Sequence, residues 1–140
     1  MPFPVDAKYV GASEAKLSIT FPSMFVGKMI RENGGSVEAG GDSWELYPFF
    51  DASDKKRVSR TCNDIVRETT KMREWSNFPP EGVAIAGNGT ADQLVLMPKQ
   101  EYKGELSPAV FWWDHETGEI RKVADSFAEL LSGENDDSVE

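Results

Sequence analysis

Asn33-Gly34-Gly35 splits the chain into two hydrophobic periods that no single type of secondary structure accommodates. Upstream, Pro22, Phe25, Val26, Met29 and Ile30 recur at helical spacing behind Phe21-Pro22-Ser23. Proline suits a first helical turn, where its missing N–H has no partner to lose. Gly27 inside the stripe costs about 1 kcal/mol of propensity relative to alanine. The glycines then stop the helix, because glycine takes the left-handed C-terminal conformation without a Cβ clash. Downstream, Trp44, Leu46, Pro48 and Phe50 alternate with Glu45, Tyr47 and Phe49, which predicts a strand. Before the first helix, Pro2 and Pro4 predict an extended opening, and Ser13 a cap for a short helix over 14–18.

Further along, DASDKKR (51–57) reads as a polar turn. Cys62, Ile65, Val66, Thr69, Met72 and Trp75 then return at spacings of three and four, opposite Arg60, Arg67, Lys71 and Arg73. That pattern predicts an amphipathic helix of about four turns, ended by Phe78-Pro79-Pro80. The remainder predicts an antiparallel meander: strands over 83–86, 92–97, 109–114 and 119–123. Between them come a turn over 87–91, a loop over 99–108 and a Glu116-Thr117-Gly118 hairpin. Asp125 or Ser126 caps a last short helix, Ser126 and Glu129 standing at capping-box spacing. Helices segregated from a run of hairpins give an α+β class, one domain over 1–132 with an antiparallel sheet and helices packed on it. GENDDSVE (133–140) reads as a frayed acidic tail. The expected core joins Met29, Leu46, Ile65, Val66, Ile85, Leu96, Trp113, Phe127 and Leu131.

Charge narrows the function classes. With 15 Lys and Arg against 24 Asp and Glu, the net charge is -9, which disfavours nucleic acid and anionic membranes and favours a cationic partner. MPFPVDAKYVG has neither the basic nor the apolar region of a signal peptide, so a cytoplasmic protein is expected. A single cysteine excludes an internal disulfide.

No residue pattern assembles a catalytic site. His115 would need two or three converging carboxylates to hold a metal. Alternate strand residues face opposite sides, so Asp114, His115 and Glu116 are not expected to share an ion, and no metal or cofactor is expected. Cys62 sits on an apolar stripe and reads as a small hydrophobe rather than a nucleophile. Gly87-Asn88-Gly89 lacks the helix start of a phosphate loop and reads as a turn. Lys55-Lys56-Arg57 with Arg60 forms a small basic patch at an unfavourable place for the helix dipole. Asp42, Glu45, Asp92 and Asp114 carry no fixed separation and read as acidic surface. Aromatic residues on strands are the stronger signal. Val110 and Trp112 either lie under a second layer or point outward. An outward Trp112 with Trp44, rimmed by Asp42, Glu45, Asp92 and Asp114, would suit a basic protein.

The order FPSMFVGKMIRENGG (21–35), strand, helix, PPEGVAIAGNGTAD and VFWWDHETGEIRKVADSFAELL (110–131) resembles the SUKH superfamily. That superfamily includes the fungal cell-wall-synthesis regulator and many bacterial immunity proteins. The resemblance covers roughly residues 12–131; the family has a second glycine where this chain has Ala91. It implies an antiparallel sheet with packed helices and no catalytic residues. It also implies Asn33, Gly34 and Gly35 as a helix stop, Trp113 and Asp114 as a strand end, and Phe127 and Leu131 as core. For function it implies a non-enzymatic immunity protein that binds a cognate, nuclease-like toxin domain, which the net charge makes a basic one, or else a scaffold or regulator of the same fold; a small hydrolase is the least favoured class. No pattern sets an oligomeric state.

Overall fold

A computed structural model describes residues 2–131. In chain order the elements are α1 (Ala7–Leu17), α2 (Ser23–Arg31), β1 (Ser36–Ala39), β2 (Asp42–Leu46), α3 (Lys55–Arg60), α4 (Ile65–Met72), β3 (Val83–Gly87), β4 (Gln93–Pro98), β5 (Leu106–Trp113) and β6 (Ile120–Ala124). Residues 127–131 are helical again. The predicted tail, 133–140, lies outside the described residues.

The six strands form one sheet in sequential order, each antiparallel to the next. This order has a direct consequence for function. The β1–β2, β3–β4 and β5–β6 turns must all lie at one end of the sheet. The α3–α4 segment and the β4–β5 loop must lie at the other.

The sheet curls strongly. A Cβ on Gly40, in the β1–β2 turn, would lie 2.8 Å from the Trp112 ring on β5 and 3.1 Å from Val123 on β6. Only a glycine lets the first hairpin close over the last two strands there. The concave face buries Val37, Trp44, Leu46, Ile85, Leu96 and Val110 with residues of α1 and α2. Phe25 is the hub of that core, with ring centroids 5.5, 5.9 and 5.0 Å from Phe21, Phe49 and Phe127. A smaller cluster on the convex face joins Ala84, Val95 and Trp113 to Met72 and Phe78. There α4 is pinned by Thr69, whose fully buried hydroxyl accepts the Ala84 N–H at 3.0 Å.

The α+β class, the four-strand meander and a helix before Asn33 stand as expected, but an extended Glu32 at φ -149° ends that helix, rather than a left-handed glycine; other elements differ. Asp6, not Ser13, caps the first helix, accepting the Lys8 N–H at 3.0 Å. The helix is consequently 11 residues long and Ser13 is buried inside it. Strand β1 precedes the expected strand, turned by Gly40 and Gly41 at φ 62° and 85°. Two consecutive positive-φ residues make the hairpin turn whose twist matches the strands. The polar segment 51–57 yields α3, capped by Asp54 on the Arg57 N–H at 2.8 Å. The Cys62–Trp75 stripe shrinks to α4, because Asp64 caps at Arg67 and starts the helix after Cys62. Cys62 is exposed, so it is not the small core residue its spacing suggested.

Of the expected core, Met29, Leu46, Ile65, Ile85, Leu96 and Phe127 share one cluster. Trp113 belongs to the other. Val66 and Leu131 are only partly buried. Glu129 reaches back as a capping-box residue does, but its carboxylate accepts the Asp125 N–H, at 2.8 Å, and not that of Ser126.

Candidate functional site

At the hairpin end, three turns meet through carboxylates. Asp42 accepts the Ser43 N–H at 2.9 Å with one oxygen and the Asn88 amide at 2.9 Å with the other, joining the first turn to the second. Within the second turn, Asn88 accepts the Thr90 N–H at 3.1 Å, and Thr90 Oγ1 accepts the Asp92 N–H at 3.0 Å. Asp92 then joins the second turn to the third. Its Oδ2 accepts the Trp112 indole N–H at 2.9 Å; its Oδ1 accepts the His115 backbone N–H at 3.0 Å and meets the His115 ring Nδ1 at 2.5 Å. Asp114 closes the third turn on itself, accepting the Glu116 N–H at 2.8 Å.

These bonds set the charge states. Burial opposes ionisation of Asp92, but the His115 backbone and ring and the Trp112 indole outweigh it and hold the carboxyl below its ordinary range. The hydrogen bond to Asp92 raises the His115 pKa against a smaller desolvation cost, with the charges of Asp92, Glu116 and Asp114 adding to the rise.

Asp92, Asp114 and His115 each present a ligand atom within 4.8 Å of the other two. Strand alternation does not keep Asp114 and His115 apart, because β5 ends at Trp113 and both lie in the turn. The Asp92 oxygens and the Asp114 Oδ1 already accept protein hydrogen bonds, so the geometry is that of a turn-locking hub.

The six residues singled out from sequence separate into groups. Asp42, Asp92 and Asp114 converge at the three turns. Trp112 is half-buried beside them, with the Arg121 guanidinium 4.7 Å over its ring. A hollow of about 120 Å³ lies between Trp112, Asp114, Glu119 and Arg121. Trp44 is withdrawn from the surface. It is 1% exposed, packs edge-on to Trp112 at 4.9 Å and donates its indole N–H to the Ala39 carbonyl. Trp44 lies on the concave face of β2, inside the main core. Val110 is fully buried on the same face. Glu45 is exposed, bonded to Ser36 at 2.8 Å, and belongs to the opposite end of β2.

Sequence reasoning missed Trp75. Its helical spacing assigned it to a buried stripe, yet it lies past the end of α4, 40% exposed. Its ring stacks edge-on to Trp113 at 5.7 Å and lies 6.1 Å from His115. Ile120, the cross-strand partner of Trp113, is also exposed. The Trp75 segment is tied to the third turn by the Asn77 amide, which donates to the His115 carbonyl at 3.1 Å. Trp75 and Ile120 therefore flank Trp113 next to Asp114, Glu116 and Glu119.

The family model described as SMI1 / KNR4 family (SUKH-1) matches residues 4–133 of the chain. No curated protein sequence matches it. Among the described residues, no helix is long and apolar enough to cross a membrane.

Proposed function

The chain belongs to the SMI1 / KNR4 family (SUKH-1), and from that premise we propose that it acts by binding another protein, as an immunity protein that neutralises a basic toxin domain in the cytoplasm. The observation that carries this reading is the exposed Trp75–Ile120 pair beside a carboxylate-rich turn. An aromatic side chain next to acidic groups offers a partner both an anchor and a complementary field. Trp75 is already stacked on Trp113, so little rotamer freedom is lost on binding. Asp42, Asp92 and Asp114 serve this surface in two ways: they fix the turns and leave net negative charge over them.

The test is binding to a purified basic, nuclease-like toxin domain, taken from a toxin gene adjoining this one where the genome carries it. Glu116 and Glu119 are exposed. Their conversion to lysine is expected to slow association, with added salt shrinking the difference. Trp75→Ala is expected to speed dissociation and cost at least about 2 kcal/mol. Unchanged binding in all three variants, or an acidic partner, would remove the proposal.

A further inference from the structure

The chain holds two Asn-Gly pairs, Asn33-Gly34 and Asn88-Gly89, and the fold treats them oppositely. In such a pair the glycine nitrogen can attack the asparagine side-chain carbonyl, since no Cβ on the glycine obstructs the approach. We propose that the fold directs this self-modification to Asn88 and withholds it from Asn33, and that conversion of Asn88 unties the first hairpin turn from the second.

The step needs only water. The Gly89 nitrogen bonds to Asn88 Cγ and gives its proton to solvent. The Cγ–Nδ2 bond breaks, and the nitrogen leaves as ammonia after taking a proton back from solvent. Water then opens the cyclic imide at either carbonyl. The product is aspartate or isoaspartate, in which the backbone runs through the former side chain.

Three features separate the two sites. The first is the attacking nitrogen. Gly34 donates its N–H to the Glu32 carbonyl at 3.0 Å, whereas Gly89 donates to no other described residue. The second is access. Asn33 is 7% exposed. Asn88 is half-buried and Gly89 exposed, with open space where a Cβ would stand. The third is the carbonyl under attack. The Asn33 amide is clamped on both backbone groups of Phe49, at 2.8 and 2.9 Å. Asn88 Oδ1 instead accepts the Thr90 N–H at 3.1 Å and the Thr90 hydroxyl at 2.7 Å. Negative charge develops on that oxygen as the nitrogen adds, and two donors already aimed at it stabilise the charge.

The consequence runs through Asp42, whose carboxylate accepts the Asn88 amide at 2.9 Å. After conversion a second carboxylate stands there with no hydrogen to give, and like charges so close repel. The Thr90 bonds survive, because they need only an acceptor. The second turn therefore holds while its tie to the first is lost, and one negative charge is added at the hairpin end of the sheet.

The experiment is incubation of the whole protein in mildly alkaline buffer, folded and in urea, with peptide mass mapping of both asparagines over time. In the folded protein Asn88 should convert at least about tenfold faster than Asn33, which must first leave its buried joint. In urea the two rates should approach each other. Thr90→Ala should slow conversion of Asn88 about two- to tenfold, the worth of one hydrogen bond. Asn88→Asp, the product without its isomer, should speed amide exchange in β1 and β2 about two- to tenfold. Equal rates in the folded protein, or the same ratio folded and in urea, would overturn the proposal by showing that the fold does not discriminate. An unchanged or faster rate in Thr90→Ala would overturn it too, since the turn would then shield the amide rather than activate it. Unchanged exchange in Asn88→Asp would remove the untying of the two turns. No partner enters these measurements, so their outcome is independent of the docking surface proposed above.

Discussion

Asp92 and Asn33 do the same job at opposite ends of the sheet, by different chemistry. Asp92 gathers donors from Trp112 and His115 at the hairpin end, and its side chain keeps 15% of its exposure. Asn33 is buried and pairs with both backbone groups of Phe49, accepting its N–H at 2.8 Å and donating to its carbonyl at 2.9 Å. A neutral amide can be buried at such a joint because both its halves are satisfied; a carboxylate there would leave the Phe49 carbonyl without a donor. Near solvent the carboxylate is tolerable and leaves charge available to a partner. The difference shows which joint holds the fold and which shapes a surface.

The largest expected effect comes from Asn33→Ala. It strands the buried N–H and C=O of Phe49, each costing about 1–3 kcal/mol. The expected loss is therefore at least about 2 kcal/mol by chemical denaturation. A loss below about 0.5 kcal/mol would mean that water replaces the amide and the joint is not buried.

Gly40 and Gly41 sharpen the comparison on the hairpin side. Both have positive φ, so alanine at either costs roughly 1–2 kcal/mol of backbone strain. Only Gly40 faces Trp112, while a Cβ on Gly41 meets nothing within 4 Å. Gly40→Ala should therefore cost about 1–3 kcal/mol more than Gly41→Ala, the usual size of overpacking. Equal losses would show that the hairpin can lift away from β5.

Asp92→Ala should cost about 1–3 kcal/mol, by leaving the part-buried Trp112 and His115 N–H groups without their acceptor. Asp92→Asn keeps one acceptor oxygen and should fall between alanine and the native protein. If Asp92→Ala proves harmless while Asn33→Ala does not, the carboxylate serves only the surface.

Much of this frame is legible in the residues. The meander is readable because Gly87-Asn88-Gly89 and Glu116-Thr117-Gly118 interrupt apolar runs, and its antiparallel pairing puts Asp92 and Asp114 at one end; Asp42 joins them only through the β1–β2 hairpin and the β2–β3 pairing, which no apolar run marks. Trp44 is misread because alternation says that Trp44 and Glu45 face opposite sides, but not which side is covered. Only the curl that brings Gly40 onto Trp112 decides that. Helix α3 carries no apolar stripe, so periodicity has nothing to detect; its Asp54 cap is the one local signal. The basic patch had no account in sequence, because Phe3, over whose ring Lys56, Arg57 and Arg60 stand, lies more than 50 residues away along the chain. Cys62 and Trp75 show the opposite failure, a true period extended past both ends of the helix that Asp64 starts.

The smallest expected effect is a pH dependence at the hairpin end. The Asp92 pKa is held below its ordinary 3.8 and that of His115 above its ordinary 6.5. A depressed carboxyl contributes stability that is present above pH 3.8 and is lost as pH falls through its lower folded value. A raised imidazole contributes stability that is complete below pH 6.5 and is lost as pH rises through its higher folded value. The pair therefore acts at full strength between about pH 4 and 6.5 and fades above. Asp114 and Glu116 extend the effect by favouring the imidazolium, and the Trp75 ring stands beside it without charge. Unfolding midpoints of the native protein and His115→Gln, compared from pH 5 to 8, should converge as pH rises. Convergence at the alkaline end leaves the backbone N–H of His115 and the indole of Trp112 as the lasting part of the hub. A constant gap would instead mean that the ring is neutral throughout and contributes only packing against Trp75.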